Sequence, residues 1–196
     1  MRKALTVLVM FAVAAFASDP RLMVLGGDAR LMLDDYLEMW AYPGVIGDYE
    51  FVTGSSETGG DVTDGWFGIT KNFGDQTFGL TINHNDYMHE FLYSPGAWGM
   101  ILSIDHHKFT NEEENYQKEM GVGVAWGTEI ALFGDYTDLA LGVGYDKTSV
   151  DIEEINPYMS NMNLGASLRG HQDGFMNLFP IISVGFNQQG DGNDEE

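Results

Sequence analysis

The sequence predicts an all-β fold: an antiparallel transmembrane β-barrel of about eight strands, preceded by a signal peptide and a short helical, plug-like segment. Three observations carry that expectation. From Phe78 onward, large apolar residues recur at every second position with glycine or a small polar residue between them. Phe78, Leu80 and Ile82 bracket Gly79 and Thr81, and Met120, Val122, Val124 and Trp126 bracket Gly121, Gly123 and Ala125. Period two is the repeat of a strand. The intervening positions hold almost no large apolar residue, so a sandwich core would have to be built from one face while the other was paved with glycine. Greasy side chains toward lipid and slender ones toward a lumen suit the pattern better. Finally, the chain opens like an exported protein.

Arg2 and Lys3 precede the uncharged stretch Ala4 to Phe16, and Ala15-Phe16-Ala17 places small residues where a signal peptidase reads. The expected signal peptide is residues 1–17. A membrane anchor is the competing reading, but the stretch falls short of the roughly 20 residues a spanning helix needs. There is no cysteine, hence neither a disulfide framework nor a lipid-attachment cysteine after the apolar stretch.

Residues 18–47 differ in kind. Asp28 can cap a helix from Ala29 to Met39, which Tyr42-Pro43-Gly44 stops. Its apolar face is Leu31, Met32, Tyr36 and Met39. Asp34 and Asp35 are adjacent, point about 100° apart on a helix, and cannot cooperate as an acid–base pair. They read as polar-face residues or partners of Arg30.

The elements Gly26-Gly27-Asp28-Ala29, Asp34-Asp35 and Tyr42-Pro43-Gly44 resemble the opening of the FadL-like family of outer-membrane proteins, which includes the PorV-like branch. The resemblance covers Leu25 to Gly47, with Tyr42 where the family usually has Asn and Gly44 where it usually has Ala. It implies a fourteen-stranded barrel whose N-terminal segment enters the lumen as a plug, with hydrophobic compounds as typical cargo. On that basis Leu31, Met32, Asp34, Asp35, Tyr36, Met39 and Pro43 are the expected plug and ligand-binding residues.

The barrel is expected over 48–188 and an acidic tail over 189–196. Eight strands are placed near Tyr49 to Gly54, Gly65 to Phe73, Thr77 to Asn85, Gly96 to His106, Lys118 to Thr128, Asp138 to Thr148, Asn161 to Gly170 and Leu178 to Gln188. Most have the nine to eleven residues a tilted spanning strand requires. Asn85 to Pro95 and His107 to Gln117 read as longer polar connections. Gly74-Asp75 reads as a tight turn whose glycine takes a positive dihedral. Phe73-Gly74-Asp75-Gln76-Thr77 recurs as Phe133-Gly134-Asp135-Tyr136-Thr137, repeated turn chemistry. Eight strands are fewer than the resemblance implies, so the chain reads either as a small complete barrel or as a piece of a larger one. Tryptophans and tyrosines fall mostly near strand ends, where an aromatic girdle would lie.

Thirty acidic residues against nine basic ones give a net charge of −21, unsuited to nucleic acid, whose phosphates require Lys and Arg. The acids cluster between apolar runs, as solvated loops or as loop-tip sites for divalent cations. If Gly99, Gly121, Gly123, Gly142, Gly144, Gly165 and Gly185 face inward, they either make room for the plug or relieve curvature. Asn163, Ser167 and Arg169 would line the lumen with them. His106 and His107 fall on opposite faces of a strand and cannot share a metal. A metal among His84, Asp86, His89 and Glu90 is conceivable. No nucleophile elbow, phosphate loop or dinucleotide fingerprint occurs.

The expectation is therefore a non-enzymatic outer-membrane protein without cofactor, surrounded by lipid, that passively moves or binds small hydrophobic molecules. A soluble periplasmic binder of a hydrophobic ligand and a surface structural or adhesion protein are the alternatives.

Overall fold

The computed structural model describes residues 36–55, 66–84, 88–110, 116–132, 134–151, 157–171 and 180–193. A short α-helix, α1 (Glu38–Ala41), leads into a 3₁₀ helix, Pro43–Asp48. Nine strands follow: β1 (Phe51–Ser55), β2 (Trp66–Phe73), β3 (Gln76–His84), β4 (Met88–Ser94), β5 (Trp98–Thr110), β6 (Tyr116–Ile130), β7 (Tyr136–Asp151), β8 (Pro157–His171) and β9 (Ile181–Asn193). They form a single sheet in chain order, each pairing antiparallel with the next. The all-β, antiparallel expectation is met. β1 and β9 are its two edges, with no ladder between them among the described residues.

The sheet has nine strands rather than about eight. The additional one is β4, which lies in what read as a polar connection from Asn85 to Pro95. Its inward positions are Glu90, Leu92 and Ser94, all buried, so the small-residue signature of the other strands is missing there. The later strands also exceed the expected nine to eleven residues: β6 and β8 have 15 each and β7 has 16. β9 runs on to Asn193, so residues 189–193 are strand rather than tail. Of the helix expected from Ala29 to Met39, the described residues contain only the end, and the α-helix there is four residues long. Pro43 ends it as anticipated, since proline cannot continue an α-helix yet suits the first turn of a new one, and the chain resumes as 3₁₀. Gly74 and Gly134, the glycines of the repeated Phe-Gly-Asp turn, adopt φ of 68° and 65°. This is the left-handed conformation that favours glycine.

One face of every long strand carries the bulk and points away from α1 and the 3₁₀ helix. Val122 is 50% exposed, Leu141 44% and Leu164 53%, and Phe67, Leu80, Ile104, Val143 and Phe186 are exposed with them. The other face holds the glycines. Against it, Met39, Val45 and Ile46 pack on Leu92 of β4 and Ile101 of β5, a small core to which Tyr36, Trp40, Tyr49 and Phe51 contribute edges. The 3₁₀ helix touches β3, β4, β5, β6 and β7, and Glu38 reaches Arg169 on β8. The small-residue face, turned toward α1 and the 3₁₀ helix, is the inner face of the sheet.

Two glycines make the fit possible. A Cβ on Gly99 would lie 1.7 Å from the Pro43 carbonyl oxygen, and one on Gly127 would lie 2.7 Å from the Gly44 nitrogen. Gly142, Gly144, Gly165 and Gly185 are different: each would meet a single carbonyl oxygen at 3.9 Å. The seating of the segment thus explains Gly99, but not the glycines further along. Gly99→Ala is accordingly expected to lower stability by about 1–3 kcal/mol through overpacking, whereas Gly142→Ala should stay within about 0.5 kcal/mol of wild type. Thermal unfolding of both variants under one set of solution conditions checks the contrast.

Candidate functional site

The inner face divides into a charged latch at one end and an open trough beyond it. The latch follows from strand register. Asp138 on β7 pairs directly across from Arg169 on β8, on the inward side of both strands. Opposite charges facing one another across a ladder attract. Arg169 donates through Nε to Asp138 Oδ2 at 2.8 Å, and its Nη2 lies 2.6 Å from the same oxygen and 2.9 Å from Glu38 Oε2. His171 Nε2 lies 2.6 Å from Asp138 Oδ2, and the His171 ring stacks on Tyr136 at 4.1 Å. The Arg169 guanidinium also sits 4.2 Å over the Tyr42 ring, a cation–π contact strengthened by burial. Tyr49 donates its hydroxyl to Glu38 Oε1, and the hydroxyls of Tyr42 and Ser167 are 3.2 Å apart. A second tie lies on β4, where Glu90 Oε2 accepts from Trp40 Nε1 and Thr81 Oγ1, both at 2.8 Å.

Burial pushes the Glu38 carboxyl above its ordinary range, while the Tyr49 hydroxyl and the Arg169 charge pull the other way. Burial, with the Asp138 charge nearby, also raises Asp48. A carboxyl raised on docking binds its proton more tightly docked than free. That contribution is fully present below the ordinary glutamate range and is lost as pH rises through the raised value.

The trough begins beside α1. A hollow of about 410 Å³ is bounded by Trp40, Ala41 and Pro43 and floored by Ala125, Gly142, Gly165 and Gly185. A second hollow, of about 490 Å³, shares those four floor residues and continues to Gly123, Gly144, Asn163 and Asn187. The two are one groove. Register explains its floor: Ala125 pairs with Gly142, Gly142 with Gly165 and Gly165 with Gly185, a row of minimal side chains across four strands. The next row is polar at one end, where Asn187 Nδ2 donates to Asn163 Oδ1 at 2.9 Å. The lining combines apolar surface with a few polar groups, as small-molecule sites do.

Of the residues singled out from sequence, Leu31, Met32, Asp34 and Asp35 lie outside the described residues. Met39 and Pro43 are buried against the sheet, and Tyr36 packs on the Phe51 ring at 4.9 Å. Asn163, Ser167 and Arg169 share the inward face of β8. Arg169 nevertheless lines no lumen: it is 1% exposed and lies beneath Tyr42. Glu38, Trp40, Asp138 and His171 were not read as site residues, Tyr42 was read only as part of the turn that stops the helix, and Glu90 only as a conceivable metal ligand. The available signal was parity, because Asp138 and Arg169 are charges at positions where neighbouring residues on the same strands are small. Of the conceivable metal group, His84 has no described side chain and Asp86 lies outside the described residues. His89 and Glu90 face opposite sides of β4, and Glu90 is taken by Trp40 and Thr81.

Arg169→Met leaves Asp138 and Glu38 buried together without their cation, and is expected to cost about 3–5 kcal/mol. Glu38→Gln should cost much less at neutral pH and should flatten the decline in stability between acid and neutral pH. Denaturant unfolding of the three proteins at pH 5 and pH 8 reads both effects. No protein-family model, no curated protein and no solved structure matches this chain, so its functional reading rests on its own residues.

Proposed function

We propose that this chain is an outer-membrane β-barrel protein of the FadL-like type, exported by a cleaved signal peptide, which passively binds or conducts small apolar molecules through the trough. The observation that carries the reading is sidedness. Nearly every strand turns bulky apolar side chains outward and leaves them exposed, while the inner face is mostly glycine or polar residues, with apolar side chains such as Leu92 and Ile101 packed beneath the segment. In water such a belt is an aggregation hazard. Against acyl chains it is the ordinary exterior of a membrane barrel.

A soluble periplasmic binder would instead bury its bulky face and expose its slender one, the reverse of this arrangement. The strands β5 to β9, with 13 to 16 residues each, are long enough to cross the hydrocarbon layer and extend beyond it. In this reading the sheet closes into a barrel, residues 36–48 form the plug, and the surrounding partner is outer-membrane lipid. The trough, floored by glycine and ending at Asn163 and Asn187, receives the apolar molecule.

Val122→Arg and Leu141→Arg test the lipid contact. Each is expected to weaken assembly into liposomes by about 2–4 kcal/mol, the cost of a mid-bilayer cation on a lipid face. Gly123→Ser, on the inner face, should assemble as wild type. Assembly of Val122→Arg at the wild-type level would count against the reading. For the cargo, Gly165→Leu fills the groove, and binding of the apolar fluorophore N-phenylnaphthylamine should weaken by at least about tenfold. Unchanged titration curves would place the ligand elsewhere.

A further inference from the structure

Charge on the long strands gathers by side. The chain has nine basic residues against thirty acidic ones, yet Lys108 on β5, Lys118 on β6 and Lys147 on β7 stand together on the outward face, at the parity of Ile104, Val122 and Val143. Lys108 lies directly across the ladder from Lys118. On the next ladder Lys118 faces Ser149 and Met120 faces Lys147, so Lys118 and Lys147 are diagonal neighbours, close enough for long side chains to act on one group. The nearby carboxylates Asp105, Glu119 and Asp146 have the opposite parity and point inward. Position along the strands decides what the lysines meet. Their rows follow directly on the exposed apolar row Ile104, Val122, Tyr145 and Met162, which is paired across β5 to β8. Resting on the membrane reading above, the lysines stand where the hydrocarbon ends, at headgroup depth.

We infer that Lys108, Lys118 and Lys147 form a site for the phosphate of an anionic phospholipid headgroup, which holds one lipid against the outer face of β5, β6 and β7. Charge complementarity favours this occupant. The patch concentrates cations in a chain of net charge −21, and at headgroup depth the membrane presents phosphate anions to basic side chains. Like charges directly opposite one another on a ladder repel. A phosphate between them replaces that repulsion with charge-assisted hydrogen bonds. The Lys147 ammonium already sits 4.2 Å over the Tyr158 ring, a contact that positions it, and an ammonium has several N–H donors, so it can donate to a phosphate oxygen as well.

Native mass spectrometry of the full chain, released from mixed micelles of phosphatidylglycerol and phosphatidylcholine, reads which lipid stays bound. The wild-type chain should retain phosphatidylglycerol in preference. Lys118→Gln/Lys147→Gln, first checked for wild-type strand content by circular dichroism, should lose about fivefold of that preference for each lysine removed. Lys118→Arg/Lys147→Arg keeps the charge and should keep the preference, as should Lys71→Gln, whose lysine is paired with Glu50 on another part of the sheet. Equal retention of the two lipids by the wild-type chain, or an undiminished preference in the glutamine variant, would overturn the inference. Displacement of the lipid by inorganic phosphate, where chloride of equal ionic strength leaves it bound, would assign the site to the free anion and overturn the lipid occupant. Flotation with vesicles of each lipid is measured in parallel. Flotation with both vesicles and no lipid preference sinks the phosphate site alone, while a lysine-dependent preference in a protein that floats only with phosphatidylglycerol vesicles supports the site and sinks the membrane-spanning reading.

Discussion

The structure depends on one constraint: the face of the sheet that receives residues 36–48 has no room for side chains where their backbone arrives. The Pro43 carbonyl occupies the place of a Gly99 side chain, and Gly44 lies against Gly127. Since side chains alternate along a strand, excluding bulk from one face places it on the other. The exposed belt and the seated segment are therefore two results of one pattern. A one-residue slip of register would turn the large residues into the segment and the glycines outward.

Burial on the inner face is largely polar. Among the described residues the buried apolar cluster is small: Met39, Val45, Ile46, Leu92 and Ile101, edged by Tyr36, Trp40, Tyr49, Phe51 and Ala125. Much of what holds the segment beyond it is hydrogen-bonded and ionic: Arg169 between Asp138 and Glu38, and Glu90 between Trp40 and Thr81. Buried ions contribute little net stability but penalise any arrangement that separates them. The latch thus fixes where α1 sits along β7 and β8 more than it strengthens the fold. The trough starts where the segment ends, so the latch also sets the position of its Trp40 and Pro43 wall.

Strand chemistry was legible wherever the inner face was small. Val122, Val124, Leu141 and Val143 announced both strand and side, and the Gly74 and Gly134 turns were readable as turns. β4 was not legible, because its inner positions, Glu90, Leu92 and Ser94, serve the N-terminal segment rather than the groove, and this removes the alternation of large and small. The latch was hidden for a different reason. Glu38, Asp138 and Arg169 are distant in sequence and meet only once β7 and β8 pair in register and α1 docks across them. Gly127 was missed because its neighbour Gly44 is likewise a tertiary partner. Strand length was underestimated because the ladders of β6, β7 and β8 continue past the expected ends through polar residues such as Gln117, Ser149 and Ser160, where apolar alternation no longer marks them.

The central claim is that the bulky side of each strand meets acyl chains. Spin labels placed singly at positions 139–146 of β7 in reconstituted liposomes test it most directly, by comparing accessibility to oxygen, which concentrates in lipid, with accessibility to a water-soluble nickel chelate. The account predicts a period-two profile, with oxygen accessibility highest at 141, 143 and 145 and chelate accessibility highest at 142 and 144. A profile of opposite phase, or one without alternation, would contradict it.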